Sequence, residues 1–218
     1  MTASDTYREE RDEMVDRLVR SGTISRDVTA KAMRAVPRHA FVPEAQLSQA
    51  YHDRPLPIGH GQTISAPHMV ATMVELLDLE RGDTVLEVGT GCGYHAAVTA
   101  EVVGAAGVFS IEVSPSLAES ARDRLRRLGY GDITITVGDG HDGWAEHAPY
   151  DAIYLTCAAD SIPDALLDQL AANGRLLAPV GHYRQELVLV CIDSEGRQHR
   201  EHHGGVRFVR MREGPPED

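Results

Sequence analysis

Lysine, cysteine and long apolar runs are scarce in this chain, and each scarcity excludes a class of protein. Lys31 is the only lysine among 21 basic residues, and 33 acidic residues bring the formal net charge to -12. Nucleic-acid backbones and anionic membrane surfaces attract clustered positive charge, so we expect neither as a partner. No apolar run approaches the length that spans a bilayer. Either a high GC content of the coding sequence or adaptation to high salt would explain why arginine replaces lysine almost completely. The sequence does not decide between these two explanations.

The cysteines and the N-terminus indicate the compartment. Cys92, Cys157 and Cys191 are odd in number and lack the spacing of metal ligands, which predicts reduced thiols. The N-terminal TASDTYREERDEM has no apolar centre of the kind that signal peptides carry. We therefore expect a cytoplasmic protein, a monomer, with no metal ion.

The stretch TVLEVGTGCGYHAAVT, residues 84–99, organises the rest of the chain. A short apolar run ends at Gly89, Gly91 and Gly93 and then turns into an alanine-rich helical pattern, which predicts strand, tight turn and helix. Glycines allow positive φ and a close backbone approach to a ligand, and the first N–H groups of the helix lie beside it. A nucleotide-like ligand is expected at this turn.

Apolar strands alternate with helical patterns after this stretch. The predicted strands and helices are strands 84–88, 108–113, 133–138, 152–157 and 175–180 and helices 115–128 and 163–170. Two last apolar runs, 186–193 and 205–211, are joined by a polar stretch too short for a helix, so we expect a hairpin at the sheet edge. The pattern predicts an α/β fold with a doubly wound, Rossmann-like sheet of seven mostly parallel strands and a C-terminal antiparallel hairpin.

The N-terminal third predicts a helical lobe. Helices are expected over residues 5–20 and from Ser25, a potential N-cap, to Pro37, and a further helix starts at Pro67. The Pro-, Gly- and His-rich segment between them is long enough to be functional. The predicted division is a lobe with an active-site loop over 1–66, a cofactor-binding domain over 67–213 and a disordered tail over 214–218.

Strand ends of such a sheet meet at the ligand site. Glu112 ends the second strand, where a carboxylate accepts hydrogen bonds from ribose hydroxyls, and Asp139 follows the third, within reach of an adenine amino group. Glu87 lies just ahead of the glycine turn, where it repels a pyrophosphate and suits a cation. A dinucleotide turn has the pattern G-x-G-x-x-G, but this chain has Tyr94 at the position of the last glycine, and its third glycine comes one residue early, at Gly93. Together these features favour S-adenosylmethionine over NAD.

Several segments together resemble the protein-L-isoaspartate O-methyltransferase family. They are VPRHAFVP, PLPIGHGQTISAPHM, LEVGTGCGYHAAVTA, GDG, APYDAI and GRLLAPVG, of which GQTISAPHM is the most specific. By position, the resemblance implies that Ser65 is the active-site serine, with Gln62, Thr63 and Ile64 beside it in the cofactor and substrate pocket. It implies cofactor contacts at Glu112, Asp139 and Gly140. Cys92, Cys157 and the C-terminal FVRM depart from the family pattern.

The resemblance implies methyl transfer from S-adenosylmethionine to the free α-carboxylate of L-isoaspartyl residues, a repair reaction. Methylation of an aspartate in a dedicated peptide is the alternative within enzymes. Two further alternatives are a protein that binds the cofactor without catalysis and an enzyme that carries out NAD-dependent reduction. Taken alone, Ser65 is also a potential N-cap for the helix at Pro67, and the GQTISAPHM context favours function. His199, His202 and His203 are interpreted as surface histidines of a hairpin loop rather than metal ligands.

Overall fold

A computed structural model describes residues 3–214. Its helices and strands, in chain order, are α1 (Ala3–Arg20), α2 (Asp27–Ala35), β1 (Leu56–Gly59), β2 (Gln62–Ile64), α3 (Pro67–Leu77), β3 (Val85–Val88), α4 (Tyr94–Val103), β4 (Val108–Glu112), α5 (Pro115–Arg127), β5 (Thr134–Val137), β6 (Tyr150–Leu155), α6 (Asp164–Asp168), β7 (Leu170–Val180), β8 (Gln185–Ile192) and β9 (Gln198–Val206). Short 3₁₀ turns connect several of them. No helix within residues 3–214 is long and apolar enough to cross a membrane.

The main sheet confirms the predicted fold class. Its strand order is β5-β4-β3-β6-β7-β8-β9, and β1 and β2 form a separate hairpin. The five strands β5, β4, β3, β6 and β7 are parallel, whereas β8 pairs antiparallel with β7 and with β9. All four residues of β3 are buried. The chain reverses direction across the sheet at β3, which places a ligand site at its carboxyl end.

The last strand differs from the prediction. The hairpin partner of β8 is the polar segment Gln198–Val206, not the apolar run 205–211. Almost every β9 residue is exposed, because an edge strand needs only its backbone hydrogen bonds, and charged side chains there prevent further strand pairing. The predicted loop histidines therefore lie in this strand, where His199 contacts Asp193 at 3.2 Å and His202 contacts Glu186 at 2.8 Å.

Two helices also begin or end away from their predicted limits. The predicted cap Ser25 does not cap α2, because its hydroxyl donates to Glu75 of α3 at 2.5 Å and Arg26 takes the cap position. Helix α6 ends at Asp168 rather than continuing to Leu170, since Leu170 already pairs with Tyr150 in the sheet. In both cases a contact with a distant part of the chain overrides the local pattern.

The N-terminal helices pack onto the sheet domain. Met14, Met33 and Phe41 belong to the same buried cluster as Val74 of α3 and Val98 of α4. Residues 3–66 thus share their core with the part of the chain that follows them. The division at residue 66 stays a prediction.

Arg38 holds the segment between α2 and β1. Its side chain is fully buried, with Nε donating to the Ala50 carbonyl at 2.8 Å and Nη2 donating to the Arg54 carbonyl at 3.4 Å. The guanidinium carbon lies 4.9 Å from the centre of the Tyr94 ring. Burial lowers the pKa of Arg38 from its ordinary value. One buried cation thereby ties this segment to the start of α4.

We expect Arg38→Ala to lower the free energy of unfolding by about 3 kcal/mol, since it empties a packed site and leaves two carbonyls without donors. Urea unfolding of the two proteins measures this. Arg81→Ala, at an exposed position, serves as the matched control and should change the free energy by less than about 0.5 kcal/mol. Equal effects of the two substitutions would contradict this role of Arg38.

Candidate active site

A cavity opens at the carboxyl ends of β3, β4 and β6, beside the loop after β2. Its empty volume, including the open solvent at its mouth, is about 790 Å³. The predicted site residues that line it are Gln62, Thr63, Ile64, Ser65, Glu87, Gly89, Gly91, Glu112 and Gly140. Two others, Gly93 and Asp139, do not line it. The structure therefore brings most of the predicted set to one place.

The glycine turn forms the inner wall of the cavity. Gly89, Gly91 and Gly93 have φ of 99°, 54° and 86°, values that other residues rarely adopt. A Cβ on Gly89 would overlap the Thr156 hydroxyl. Gly93 instead precedes α4, and a Cβ there would lie 3.0 Å from Leu125 of α5. The first two glycines thus shape the ligand site, whereas the third allows two helices to pack.

We expect Gly89→Ala to weaken the binding of S-adenosylhomocysteine at least about tenfold, because the added methyl group displaces Thr156 at the cavity wall. Gly104→Ala is the matched control, since Gly104 also has a positive φ, of 100°, yet nothing lies within 4 Å of its Cβ position. Calorimetric titration of both variants measures the difference. Similar affinities in the two variants would show that the wall at Gly89 does not contribute.

Glu87 lies beneath the cavity in a buried polar network. Ser110 donates to its Oε2 at 2.6 Å and Tyr154 donates to its Oε1 at 3.0 Å. Thr90 and Thr99 bond in turn to those two hydroxyls. Burial raises the pKa of Glu87 to about 8, although the two hydrogen bonds favour its charged form. A cation in the cavity would favour the ionised carboxylate.

Glu112 is held in place by the turn that it faces. Its Oε2 accepts from the Gly91 N–H at 2.8 Å, and its Oε1 accepts from the Ser114 N–H at 3.1 Å. Glu112 is 6 % exposed and lines the cavity. Each carboxylate oxygen has a second lone pair, so Glu112 can still accept hydrogen bonds from a ligand.

Asp139 and Gly140 follow β5 but have different surroundings. Gly140 lines the cavity, and a Cβ there would overlap Val88. Asp139 instead accepts from the His141 N–H at 2.9 Å and from the Gly214 N–H at 2.7 Å. Burial alone would raise the pKa of Asp139, but these bonds lower it below its ordinary value. Gly214, the first residue of the predicted tail, is thus bonded to Asp139, and the other four tail residues lie outside the described residues.

Ser65 lies between β2 and α3. The N-cap of α3 is Ala66, with Pro67 in the first turn, so the Ser65 side chain does not cap the helix. Within the described part of the chain its hydroxyl has no hydrogen-bond partner, and it lines the cavity. Both the backbone N–H and Nδ1 of His68 contact Asp53 Oδ1, at 2.9 and 2.8 Å. This pair fixes the segment that carries Ser65.

A second cavity adjoins the first at Ser65. Ser65, Thr63, Thr156 and Val209 line both. Its other walls are formed by Pro55, Ala66, His68, Met69 and residues 205–208. A hydroxyl without a protein partner therefore stands at the boundary of two spaces, an arrangement that suits transfer of a group between two ligands.

Comparison with known proteins places this architecture in a family. A family model described as protein-L-isoaspartate(D-aspartate) O-methyltransferase matches residues 9–215. The chain belongs to this family. A protein-L-isoaspartate O-methyltransferase 2 of Archaeoglobus fulgidus is 55 % identical over 207 residues, covering 94 % of each chain. The Methanothermobacter thermautotrophicus protein-L-isoaspartate O-methyltransferase is 52 % identical over 204 residues, covering 92 % of this chain and 94 % of its own.

Solved structures agree with the family match. A Plasmodium falciparum chain named as a protein-L-isoaspartate O-methyltransferase, in complex with S-adenosyl-L-homocysteine, superposes with a TM-score of 0.83 at 26 % identity, covering 93 % of this chain and 98 % of its own. Another protein-L-isoaspartate O-methyltransferase superposes with a TM-score of 0.84 at 32 % identity, covering 92 % of this chain and 65 % of its own.

The C-terminal segment of this family member forms a wall of the site that the sequence did not predict. Residues 209–212 line the first cavity after leaving β9. The Ala158 N–H donates to the Val209 carbonyl, and the Met211 N–H donates to the Ala158 carbonyl, both at 2.8 Å. Arg210 pairs with Asp160 at 2.9 Å. The apolar run that was predicted as the last strand therefore lines the site instead of pairing with β8, because its backbone bonds to Ala158 after β6.

Two cysteines also line the first cavity, at positions that depart from the family pattern. Cys92 is buried, and burial raises its pKa. Cys157 lies after β6, and burial raises its pKa to about 12. Both thiols are therefore protonated at neutral pH, and the helix start at Tyr94 does not make Cys92 reactive. All three cysteines are free.

Proposed function

We propose that the protein transfers a methyl group from S-adenosylmethionine to the free α-carboxylate of L-isoaspartyl residues in damaged proteins and peptides. Family membership supports this activity. The position of the Ser65 hydroxyl at the boundary of the two cavities carries the assignment of the site. The first cavity is assigned to the cofactor and the second to the peptide.

The residues of the first cavity fit the cofactor. Glu112 is oriented to accept from the ribose hydroxyls, and Gly140, which packs against Val88 of β3 where no side chain would fit, lines the adenine side of the same cavity. Glu87 lies beneath the glycine turn, where the cofactor's cationic groups favour its ionised form. Gln62, Thr63 and Ile64 of β2 line the cavity on the side of the β1–β2 hairpin. When bound, S-adenosylmethionine supplies a methyl group attached to a positively charged sulfur. The sulfur is an excellent leaving group because it departs as a neutral thioether.

The protein's own task is to position the acceptor. A carboxylate has a pKa near 4, about 3 units below neutral pH, so it is already ionised and needs no general base. The Ser65 hydroxyl donates a hydrogen bond to one carboxylate oxygen and leaves the other free to react. A neutral donor orients the acceptor without cancelling its charge, as a lysine would. Residues 209–212 form one wall of the first cavity, where they would limit the access of water to the reacting groups.

Repair of a peptide tests this function. In the methyl ester that forms, the methoxy group leaves more readily than the oxygen of the free acid. The next backbone nitrogen therefore attacks the ester carbonyl, methanol departs with the N–H proton and a succinimide forms, whose hydrolysis yields some normal aspartyl linkages. With the protein and S-adenosylmethionine, an isoaspartyl peptide should decline while its aspartyl counterpart accumulates, as measured by chromatography. Samples without cofactor provide the control. An unchanged isoaspartyl peptide would contradict the proposal.

We further propose that the protein works as a cytoplasmic monomer without nucleic acid or membrane partners. A net charge of -12 and three free cysteines support this. Light scattering after size-exclusion chromatography should give a mass near 23.7 kDa. A mass of twice that value would contradict the monomer.

A further inference from the structure

His95 has hydrogen-bonding groups that the protein does not satisfy. It is the second residue of α4, is 6 % exposed and lines the first cavity. Within residues 3–214, both of its ring nitrogens are buried without a hydrogen-bond partner. Burying such groups unpaired costs free energy, and native proteins rarely leave them so. A histidine with two unmet nitrogens at a ligand cavity indicates that a ligand supplies a partner.

The position of His95 selects which part of the ligand it meets. The residues suited to the nucleoside, Glu112 and Gly140, follow β4 and β5, which lie on one side of β3. The His95 ring packs on Tyr154 of β6, on the other side of β3, with the ring centres 4.4 Å apart. His95 is therefore on the side of the glycine turn away from the nucleoside residues. The part of the cofactor that extends to this side is its amino acid end.

The chemistry of the ring suits that end. Burial lowers the pKa of His95 to about 3, so the imidazole is neutral at physiological pH and has one N–H donor and one acceptor nitrogen. The amino acid end of the cofactor offers an ammonium, which donates, and a carboxylate, which accepts. Tyr154 also donates to Glu87, so His95 and Glu87 contact the same tyrosine beneath this part of the cavity.

We propose that His95 binds the amino acid end of the cofactor through a ring nitrogen and thereby selects ligands that carry this end. The inference rests on the proposed function, because it requires S-adenosylmethionine in the first cavity. It assigns His95 as a specificity-determining residue of the cofactor site. A purely structural histidine, held only by its contact with Tyr154, would not distinguish ligands by their amino acid end.

Two ligands that differ only at this end test the proposal. S-adenosylhomocysteine carries the amino acid, whereas 5′-methylthioadenosine keeps the nucleoside and the thioether but lacks it. In calorimetric titrations we expect His95→Leu to bind S-adenosylhomocysteine about 10- to 100-fold more weakly than the wild type, the loss of a hydrogen bond to a charged group. Its affinity for 5′-methylthioadenosine should stay within about twofold. Equal weakening of both ligands, or no weakening of either, would overturn the proposal.

Two further measurements separate this result from misfolding and from failure of the proposed function. Leucine fills the buried site without unmet polar atoms, so the ligand-free variant should unfold at the same temperature as the wild type or higher. His95→Gln, which keeps a donor and an acceptor, should recover part of the affinity for S-adenosylhomocysteine, and no recovery would count against the hydrogen bond. If the wild type itself did not bind S-adenosylhomocysteine, the cofactor assignment would fail, and this inference with it.

Discussion

Ser65→Ala should lower kcat/KM for an isoaspartyl peptide about 100- to 1,000-fold while leaving the affinity for S-adenosylhomocysteine within about threefold. The hydroxyl stands where the two cavities meet and has no partner in the described protein, so alanine removes a donor to the acceptor carboxylate without breaking an internal bond. The remaining carboxylate is still ionised, but it is poorly aligned. Initial rates of methyl transfer and calorimetric titration measure the two quantities.

Ser194→Ala is the matched control for this prediction. Ser194 is exposed in the turn between β8 and β9, and neither cavity includes it. Its substitution should leave both quantities unchanged. A parallel loss of activity and S-adenosylhomocysteine affinity in Ser65→Ala would instead assign Ser65 to cofactor binding alone, and a loss of activity below about threefold would deny it a role in positioning the acceptor.

Glu87→Gln should change how the stability of the ligand-free protein depends on pH. The pKa of Glu87 is about 8 in the folded protein against an ordinary value of 4.5. Between these two pH values the unfolded chain ionises at Glu87 and the folded protein does not. The resulting loss in the free energy of unfolding is absent below pH 4.5 and grows as pH rises to 8, where it reaches about 5 kcal/mol. Glutamine does not ionise and avoids this cost. The variant should gain several kcal/mol relative to the wild type between pH 5 and pH 8.

Urea unfolding of both proteins at several pH values measures this difference. Glu119→Gln, at an exposed position in α5, is the control and should show no such gain. A constant difference between Glu87→Gln and the wild type from pH 5 to pH 8 would show that Glu87 is not protonated in the ligand-free fold. The same substitution should weaken S-adenosylmethionine binding, since the cavity loses the carboxylate that favours a cation.

The sequence predicted the sheet and the glycine turn because local chemistry determines both. Strands β3, β4 and β6 form from short, largely apolar runs. Gly89 and Gly91 both have a positive φ, and at Gly89 the cavity wall also leaves no space for a Cβ. Glu87 and Glu112 could be assigned to the cavity because parallel strands bring their carboxyl ends to one edge.

Features that depend on distant contacts could not be predicted in this way. The exposed strand β9 has no apolar pattern, so the apolar run after it was taken for the strand, although residues 209–212 line the cavity. Ser25 has a typical cap sequence, but Glu75 of α3 takes its hydroxyl. Asp139 follows β5 as predicted, yet its carboxylate is bonded to Gly214, 75 positions along the chain. None of these partners is visible in a local window of sequence.

The most direct test of the account uses two peptides of identical sequence that differ only in an isoaspartyl or an aspartyl linkage. With S-adenosylmethionine labelled on its methyl group, the protein should transfer label to the isoaspartyl peptide and not measurably to the aspartyl one, because the acceptor placed at Ser65 is a free α-carboxylate. Label on both peptides, or on the aspartyl peptide alone, would contradict the assignment of the second cavity to isoaspartyl substrates.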